Sequence, residues 1–152
     1  MLPSDMTHVV FVCLHNAGRS QTSQALFERA AAGRHTATSA GTTPAAAIHP
    51  EVIEAMQELG IEIGDRVPRR LTRELAEEAD VVVTMGCGDQ CPFIPGKRYV
   101  DWDLDDPKGR PIDDVRAIRD EIRSRVAALL AQLDVATNTY DRSQTDATRP
   151  TV

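Results

Sequence analysis

The sequence predicts an α/β fold: a three-layer, doubly wound parallel sheet of four strands with helices on both faces. Two observations support this fold class. Short continuous apolar runs such as His8 to Val12 are typical of parallel strands that are buried on both faces. These runs alternate with segments of helical periodicity, and strands that alternate with helices are joined by right-handed crossovers into one parallel sheet.

The first half of the chain predicts two strands and two helices. The run His8 to Val12 is the first strand, and residues 20–32 carry apolar side chains at helical spacing. Small and β-branched residues alternate from His35 to Gly41, which predicts a short second strand. Pro50 then opens a helix with one apolar face, and Gly60 is a natural end for it.

The second half predicts two more strands and two more helices. Residues 71–79 form a short acidic helix that begins at Thr72, and Asp80 to Met85 form the third strand. Residues 97–104 predict the last strand, and residues 113–133 predict a long amphipathic helix. We expect the flavodoxin-like strand order, in which ligands bind beyond the carboxyl ends of the strands.

Length and composition predict one domain, residues 1–135, followed by a disordered tail, residues 136–152. A chain of 152 residues is long enough to bury a real core. Residues 136–152 are polar and contain almost no apolar side chains, so they contribute little to a core.

Charge and cysteine content exclude several classes of protein. Acidic residues number 23 and basic residues 17, for a net charge of −6, so we expect no nucleic-acid partner. No apolar stretch approaches the roughly 20 residues of a membrane span and the first residues do not resemble a secretion signal, so we expect no membrane partner. The 3 cysteines are an odd number, which fits a reducing compartment better than a secreted disulfide framework. We therefore expect a cytoplasmic protein.

The turn after the first strand has the pattern of an anion-binding site. Cys13 ends the strand, and Arg19 and Ser20 follow where the first helix begins. A helix N-terminus has unsatisfied backbone N–H groups and a partial positive charge, and an arginine fork grips tetrahedral oxyanions in a bidentate manner. We expect an oxyanion to be bound by Leu14, His15, Asn16, Ala17, Gly18, Arg19 and Ser20.

The same environment is expected to activate the thiol of Cys13. A cysteine at a helix N-terminus beside a guanidinium is held as a thiolate near neutral pH, and Ser20 is placed to donate a hydrogen bond to the sulfur. Taken alone, a cysteine in a core strand is more often inert than reactive. The combination with Arg19 and Ser20 between a strand and a helix is far more specific, and we interpret Cys13 as a nucleophile.

Cys87 and Cys91 follow the third strand, in the sequence GCGDQCP. The carboxyl end of that strand is expected at the same sheet edge as Cys13, so Cys87 on a glycine-flanked loop is placed to reach its sulfur. A zinc half-site is the first alternative, because the spacing suits paired cysteine ligands, but no histidine lies nearby in sequence to complete it. Two unrelated loop cysteines are the second alternative. We expect no metal site.

Three segments resemble one family. VCLHNAGRSQ resembles the phosphate loop of the low-molecular-weight tyrosine phosphatase fold, in which a cysteine is followed after five residues by arginine and serine. TSAGT (38–42) resembles the second strand and turn of that fold, and DLDDPKG (103–109) resembles its general-acid loop. The resemblance covers about residues 8–133. It implies that Asp106, which precedes Pro107, is the general acid, with Asp105 as its neighbour and rival.

That fold carries out two chemistries with a common first step, and the later segments resemble its arsenate reductases, especially the actinobacterial kind. The resemblance implies that Cys13 attacks arsenate, that Cys87 attacks Cys13 as arsenite leaves, and that Cys91 then takes over Cys87 for delivery to thioredoxin. The alternative is that mycothiol attacks the arsenic adduct and a mycoredoxin completes the reaction. Either route needs an external thiol reductant and no tightly bound cofactor, and phosphate or sulfate would compete with arsenate.

Two other functions remain open. A tyrosine phosphatase uses the same nucleophile, although 3 Phe, 2 Tyr and 1 Trp are few aromatic residues to line a phosphotyrosine slot. A regulator that binds an oxyanion without turnover has no need of the aspartate-proline loop. The arginines at positions 66, 69, 70 and 73 predict either a docking surface for an acidic partner or, more commonly, a solvated cluster.

Overall fold

The computed structural model describes residues 6–86 and 95–145, and the side chains of that part as far as residue 135. Strands and helices alternate through most of it, as the sequence predicts. In chain order the elements are β1 (His8–Cys13), α1 (Arg19–Ala31), β2 (Thr36–Gly41), α2 (Pro50–Gln57), α3 (Arg73–Glu78), β3 (Val81–Thr84), β4 (Arg98–Asp101) and α4 (Ile112–Thr145).

The four strands of the described residues form one parallel sheet in the order β2-β1-β3-β4. β1 lies at its centre and pairs with β2 from His8↔Thr36 to Cys13↔Gly41. β3 pairs with the other edge of β1 and with β4. The predicted fold class, a four-stranded parallel α/β sheet, is confirmed. Because all four strands run the same way, their carboxyl ends meet at one edge, where the loop after Cys13 begins.

Alternate side chains of β1 enter two cores of unequal size. Val9, Phe11 and Cys13 belong to the large core, which α1, α2 and α4 cover. Val10 and Val12 belong to a small core on the opposite face, next to the segment that carries α3. The residues from Val9 to Val12 are fully buried, which is why this strand reads as a continuous apolar run in the sequence.

Helix starts follow the signals read from the sequence. Pro50 is at the first turn of α2, and Thr72 caps α3, its hydroxyl accepting a hydrogen bond from the N–H of Leu75 at 3.1 Å. Gly60, three residues past the end of α2, has a φ of +77°, a conformation that glycine adopts without steric cost.

α4 is longer than the predicted helix. It runs to Thr145 instead of ending near residue 133, so the backbone of residues 136–145 is helical where the sequence predicts a disordered tail. Glycine and proline, the two residue types least favourable in a helix interior, are absent between Ile112 and Arg149. The division of the chain into a domain and a tail stays a prediction. No helix in the described residues, α4 included, is both long and apolar enough to cross a membrane.

Candidate active site

The turn between β1 and α1 wraps over the N-terminus of α1, as predicted. Its carbonyl groups are bound from outside: Leu14 O accepts a hydrogen bond from Thr43 N at 2.8 Å, and Ala17 O accepts one from His49 N at 3.0 Å. Among the described residues, the backbone N–H groups of residues 14, 15 and 17–19 have no hydrogen-bond partner. The loop therefore offers free donors to an anion at a helix N-terminus.

Cys13 lies at the bottom of this loop, and the residue is 2% exposed. Ser20 Oγ is 2.9 Å from Cys13 Sγ, and the backbone N–H of Asn16 donates to the sulfur at 3.3 Å. Asn16 Nδ2 donates to Ser20 Oγ at 2.7 Å. Either atom can be the donor of the pair between Ser20 Oγ and Cys13 Sγ. An ionised sulfur only accepts, and the Ser20 hydroxyl and the Asn16 N–H then both donate to it.

Asn16 holds the loop in shape. It is fully buried with a φ of +51°, and its Oδ1 accepts hydrogen bonds from Gln21 Nε2 at 3.0 Å and from Arg69 N at 2.8 Å. Asparagine tolerates a left-handed backbone better than most residues. Asn16 was predicted to lie in the loop, whereas Gln21 was missed, and the only sequence signal for Gln21 is its position directly after Ser20.

Gly41 is a second supporting residue that the sequence analysis did not assign to the site. A Cβ built on Gly41 would lie 2.8 Å from Leu14 O and 2.9 Å from Asn16 N. These are backbone atoms that cannot move aside without deforming the loop. Only glycine therefore lets the end of β2 pack against the anion-binding turn.

The guanidinium of Arg19 lies between the loop and the segment after β4. Arg19 is 7% exposed, and its Nη1 donates to Leu104 O at 3.3 Å. Its Nη2 is 3.7 Å from Asp106 Oδ2. The structure thus brings Asp106 to Arg19 of the Cys13 loop, although the two residues are far apart in the chain.

Asp106, and not its neighbour Asp105, faces the site. The side chain of Asp106 is 43% exposed and forms the ion pair with Arg19, whereas Asp105 is exposed to solvent. Pro107 is buried, and a Cβ built on Gly18 would lie 2.8 Å from its Cγ. The aspartate-proline loop therefore packs directly on the first turn of α1, which places the Asp106 carboxyl beside the anion site.

Two histidines lie at the edge of the loop. His15 Nδ1 is 3.2 Å from Thr43 O. His49 is half-buried before Pro50, and burial lowers its pKa below the ordinary value, although the charges of Glu51 and Asp106 act in the opposite direction. His49 is the N-cap residue of α2, and the lowered pKa favours its neutral imidazole beside the loop.

Cys87 and Cys91 lie outside the described residues. The described chain reaches Gly86, two residues beyond β3. Met85 N donates to Val12 O at 2.8 Å, so the segment that leads to Cys87 leaves the sheet beside the residue that precedes Cys13. Within the described ranges, no group of three or more His, Cys, Asp or Glu side chains is placed to hold a metal ion.

Comparison with known proteins points to one family. The model of the low molecular weight phosphotyrosine protein phosphatase family matches residues 8–139. A protein of Halobacterium salinarum, described as a candidate arsenate reductase, is 39% identical over 139 residues, which cover 88% of this chain and 98% of that protein.

Solved structures show the same fold. A thioredoxin-dependent arsenate reductase from Corynebacterium glutamicum superposes with a TM-score of 0.77 and is 40% identical; the match covers 89% of this chain and 65% of the Corynebacterium chain. The YwlE arginine phosphatase from Geobacillus stearothermophilus superposes with a TM-score of 0.78 at 26% identity and covers 88% of this chain and 96% of its own. On its sequence, its sheet and the loop around Cys13, this chain belongs to the low molecular weight phosphotyrosine protein phosphatase family.

Proposed function

We propose that this protein reduces arsenate to arsenite and that Cys13 is the nucleophile. One observation carries the proposal: the buried thiol of Cys13 lies at the N-terminus of α1, with Ser20 Oγ at 2.9 Å, Asn16 N at 3.3 Å and free backbone donors around it. Relatives and structural neighbours named as arsenate reductases favour arsenate over other oxyanions.

Arsenate binds first, in the loop. The free backbone N–H groups and the fork of Arg19 match the oxygens of a tetrahedral oxyanion. Phosphate and sulfate have the same shape and are therefore competing ligands. A solved relative named as an arsenate reductase in the phosphate-binding state fits this expectation.

The first chemical step forms a bond between sulfur and arsenic. Cys13 Sγ attacks arsenic, and the bond to a departing oxygen breaks as Asp106 donates a proton to it, so that the oxygen leaves as water. Asp106 acts here in its protonated form, and its approach to Arg19 together with the packing of Pro107 on Gly18 supports a carboxyl beside the loop. Asp105 points to solvent and is assigned no part in the step.

The second step passes two electrons to arsenic. The thiolate of Cys87 attacks Cys13 Sγ, a disulfide forms, and the sulfur–arsenic bond breaks with its electron pair left on arsenic, which departs as arsenite. Cys91 then attacks Cys87 and frees Cys13, and thioredoxin reduces the resulting disulfide. This relay rests on the sequence and on the thioredoxin-dependent relative. It requires a reducing compartment, and we propose the cytoplasm.

The test measures arsenite production by the reduced full-length protein in two parallel systems, one with thioredoxin and its reductase and one with mycothiol and mycoredoxin. Cys13→Ser is expected to remove turnover in both, because the nucleophile is lost. Cys87→Ser is expected to remove turnover only in the thioredoxin system. Retention of full thioredoxin-coupled turnover by Cys87→Ser would refute the relay and favour attack by an external thiol.

Phosphatase activity is the second candidate function. Cys13, Arg19 and Asp106 are sufficient for it, since water completes the reaction without further thiols, and a phosphatase of the same fold superposes well on this chain. Hydrolysis of p-nitrophenyl phosphate, measured beside arsenate reduction on the same preparation, separates the two functions. Phosphate ester turnover without arsenite production would contradict the reductase proposal.

A further inference from the structure

Gly86, two residues beyond the end of β3, lies directly against the guanidinium of Arg19. A Cβ built on Gly86 would stand 2.2 Å from Arg19 Nη1 and 3.0 Å from Arg19 Cζ. The φ of Gly86 is +84°, a region that side chains other than glycine rarely occupy. The bare backbone of Gly86 therefore forms one wall of the space that the guanidinium fills.

Two other groups hold the same guanidinium. Nη1 donates to Leu104 O at 3.3 Å, and Nη2 lies 3.7 Å from Asp106 Oδ2. Because Arg19 is only 7% exposed, its end group has little room to change position. The guanidinium is thus confined by Leu104, Asp106 and the backbone of Gly86.

The backbone at Gly86 is itself anchored by its neighbour. Met85 is fully buried, and its N–H donates to Val12 O at 2.8 Å. Ser23 Oγ also lies 3.5 Å from Met85 Sδ. A side chain added at position 86 would therefore be accommodated by movement of the guanidinium rather than by movement of the strand end.

We infer that Gly86 is a positioning residue for oxyanion binding: the absence of a side chain there lets Arg19 hold its guanidinium beside the loop of Cys13. The inference rests on the proposed role of Arg19 as the oxyanion ligand. An ordinary contact needs 3.4 Å or more, so a methyl group at position 86 would displace the guanidinium by about 1 Å. A displacement of about 1 Å in a positioning group can cost roughly 100-fold in activity.

The experiment compares Gly86→Ala with Gly33→Ala. Gly33 has a φ of +87° and no atom within 4 Å of its built Cβ, so both variants carry the same kind of backbone strain and only Gly86→Ala adds a contact with Arg19. Binding of inorganic phosphate is measured by titration calorimetry on the reduced proteins, together with melting temperature and the kcat and KM for arsenate. Gly86→Ala is expected to weaken phosphate binding and raise KM by roughly 100-fold, while Gly33→Ala binds as the wild type does.

A third variant separates backbone strain from the contact. Asparagine tolerates positive φ better than alanine, so Gly86→Asn should melt at a higher temperature than Gly86→Ala and yet bind phosphate as weakly. Recovery of binding by Gly86→Asn would overturn the inference. So would equal binding by Gly86→Ala and Gly33→Ala, or failure of Gly86→Ala to fold while Gly33→Ala folds.

Measurements on the wild-type protein distinguish failure of the proposed function from failure of the role of Gly86. If it neither binds phosphate nor turns over arsenate, the proposed function fails. If it does both, and Gly86→Ala does so equally well, only the role of Gly86 is refuted.

Discussion

Replacing Asn16 with alanine is expected to destabilise the fold and to disable the loop at the same time. The side chain makes three hydrogen bonds inside the protein: it donates to Ser20 Oγ at 2.7 Å and accepts from Gln21 Nε2 at 3.0 Å and from Arg69 N at 2.8 Å. Because Asn16 is fully buried, no water replaces the lost partners without rearrangement.

The size of the effect follows from these contacts. Each hydrogen bond contributes about 1 kcal/mol net to the free energy of unfolding. Its removal costs more than this when the buried partner is left unsatisfied. The φ of +51° adds about 1 kcal/mol when alanine replaces asparagine in a left-handed conformation. We therefore expect Asn16→Ala to lower the free energy of unfolding by roughly 4 kcal/mol, and the melting temperature by roughly 10 °C for a chain of this size.

Urea unfolding, followed by circular dichroism, measures this change, and Asn16→Asp is the matched control. Aspartate keeps the oxygen that accepts from Gln21 and Arg69 but loses the donor to Ser20, so the Ser20 hydroxyl is free to turn from the sulfur to the new carboxylate. Asn16→Asp should thus retain more stability than Asn16→Ala and still lose activity. A loss of less than about 1 kcal/mol for Asn16→Ala would refute the assigned network.

Three further outcomes are expected. Ser20→Ala removes a donor to the nucleophilic sulfur and should lower kcat by about 10- to 100-fold, as for a hydrogen bond to a charged group, with little change in phosphate affinity measured by calorimetry. Gly18→Ala places a Cβ 2.8 Å from Pro107 and should lower kcat through displacement of the acid loop, by at least about 10-fold; an unchanged kcat would show that the loop adjusts at no cost. Hydrogen bonds from Arg116 and then Arg119 lower the pKa of Glu58 from 4.5 to about 2, so the stability that this carboxylate contributes is complete above pH 4.5 and lost as pH falls through about 2. The free energy of unfolding of Glu58→Gln should therefore fall less steeply with decreasing pH over that range than that of the wild type. Parallel curves for the two proteins would contradict the assignment.

Local patterns were enough to predict most of the fold. The continuous apolar run of β1, the proline at the start of α2 and the threonine that caps α3 each act through neighbours within a few residues. The predicted end of α4 was wrong. A polar segment is expected to add nothing to a core, but polarity does not by itself stop a helix. Glycine and proline are absent there, and the backbone stays helical to Thr145.

The sequence by itself predicted the loop that carries the proposed nucleophile, since the helix N-terminus, the position of Cys13 at the end of a strand and Arg19 all lie within a few residues. Only the tertiary structure decided that Asp106 rather than Asp105 meets Arg19, and that Gly41, Gly18 and Gly86 admit close neighbours. Those contacts join segments far apart in the chain and involve distances between 2.2 and 3.7 Å. Neither hydrophobic period nor residue type carries that information.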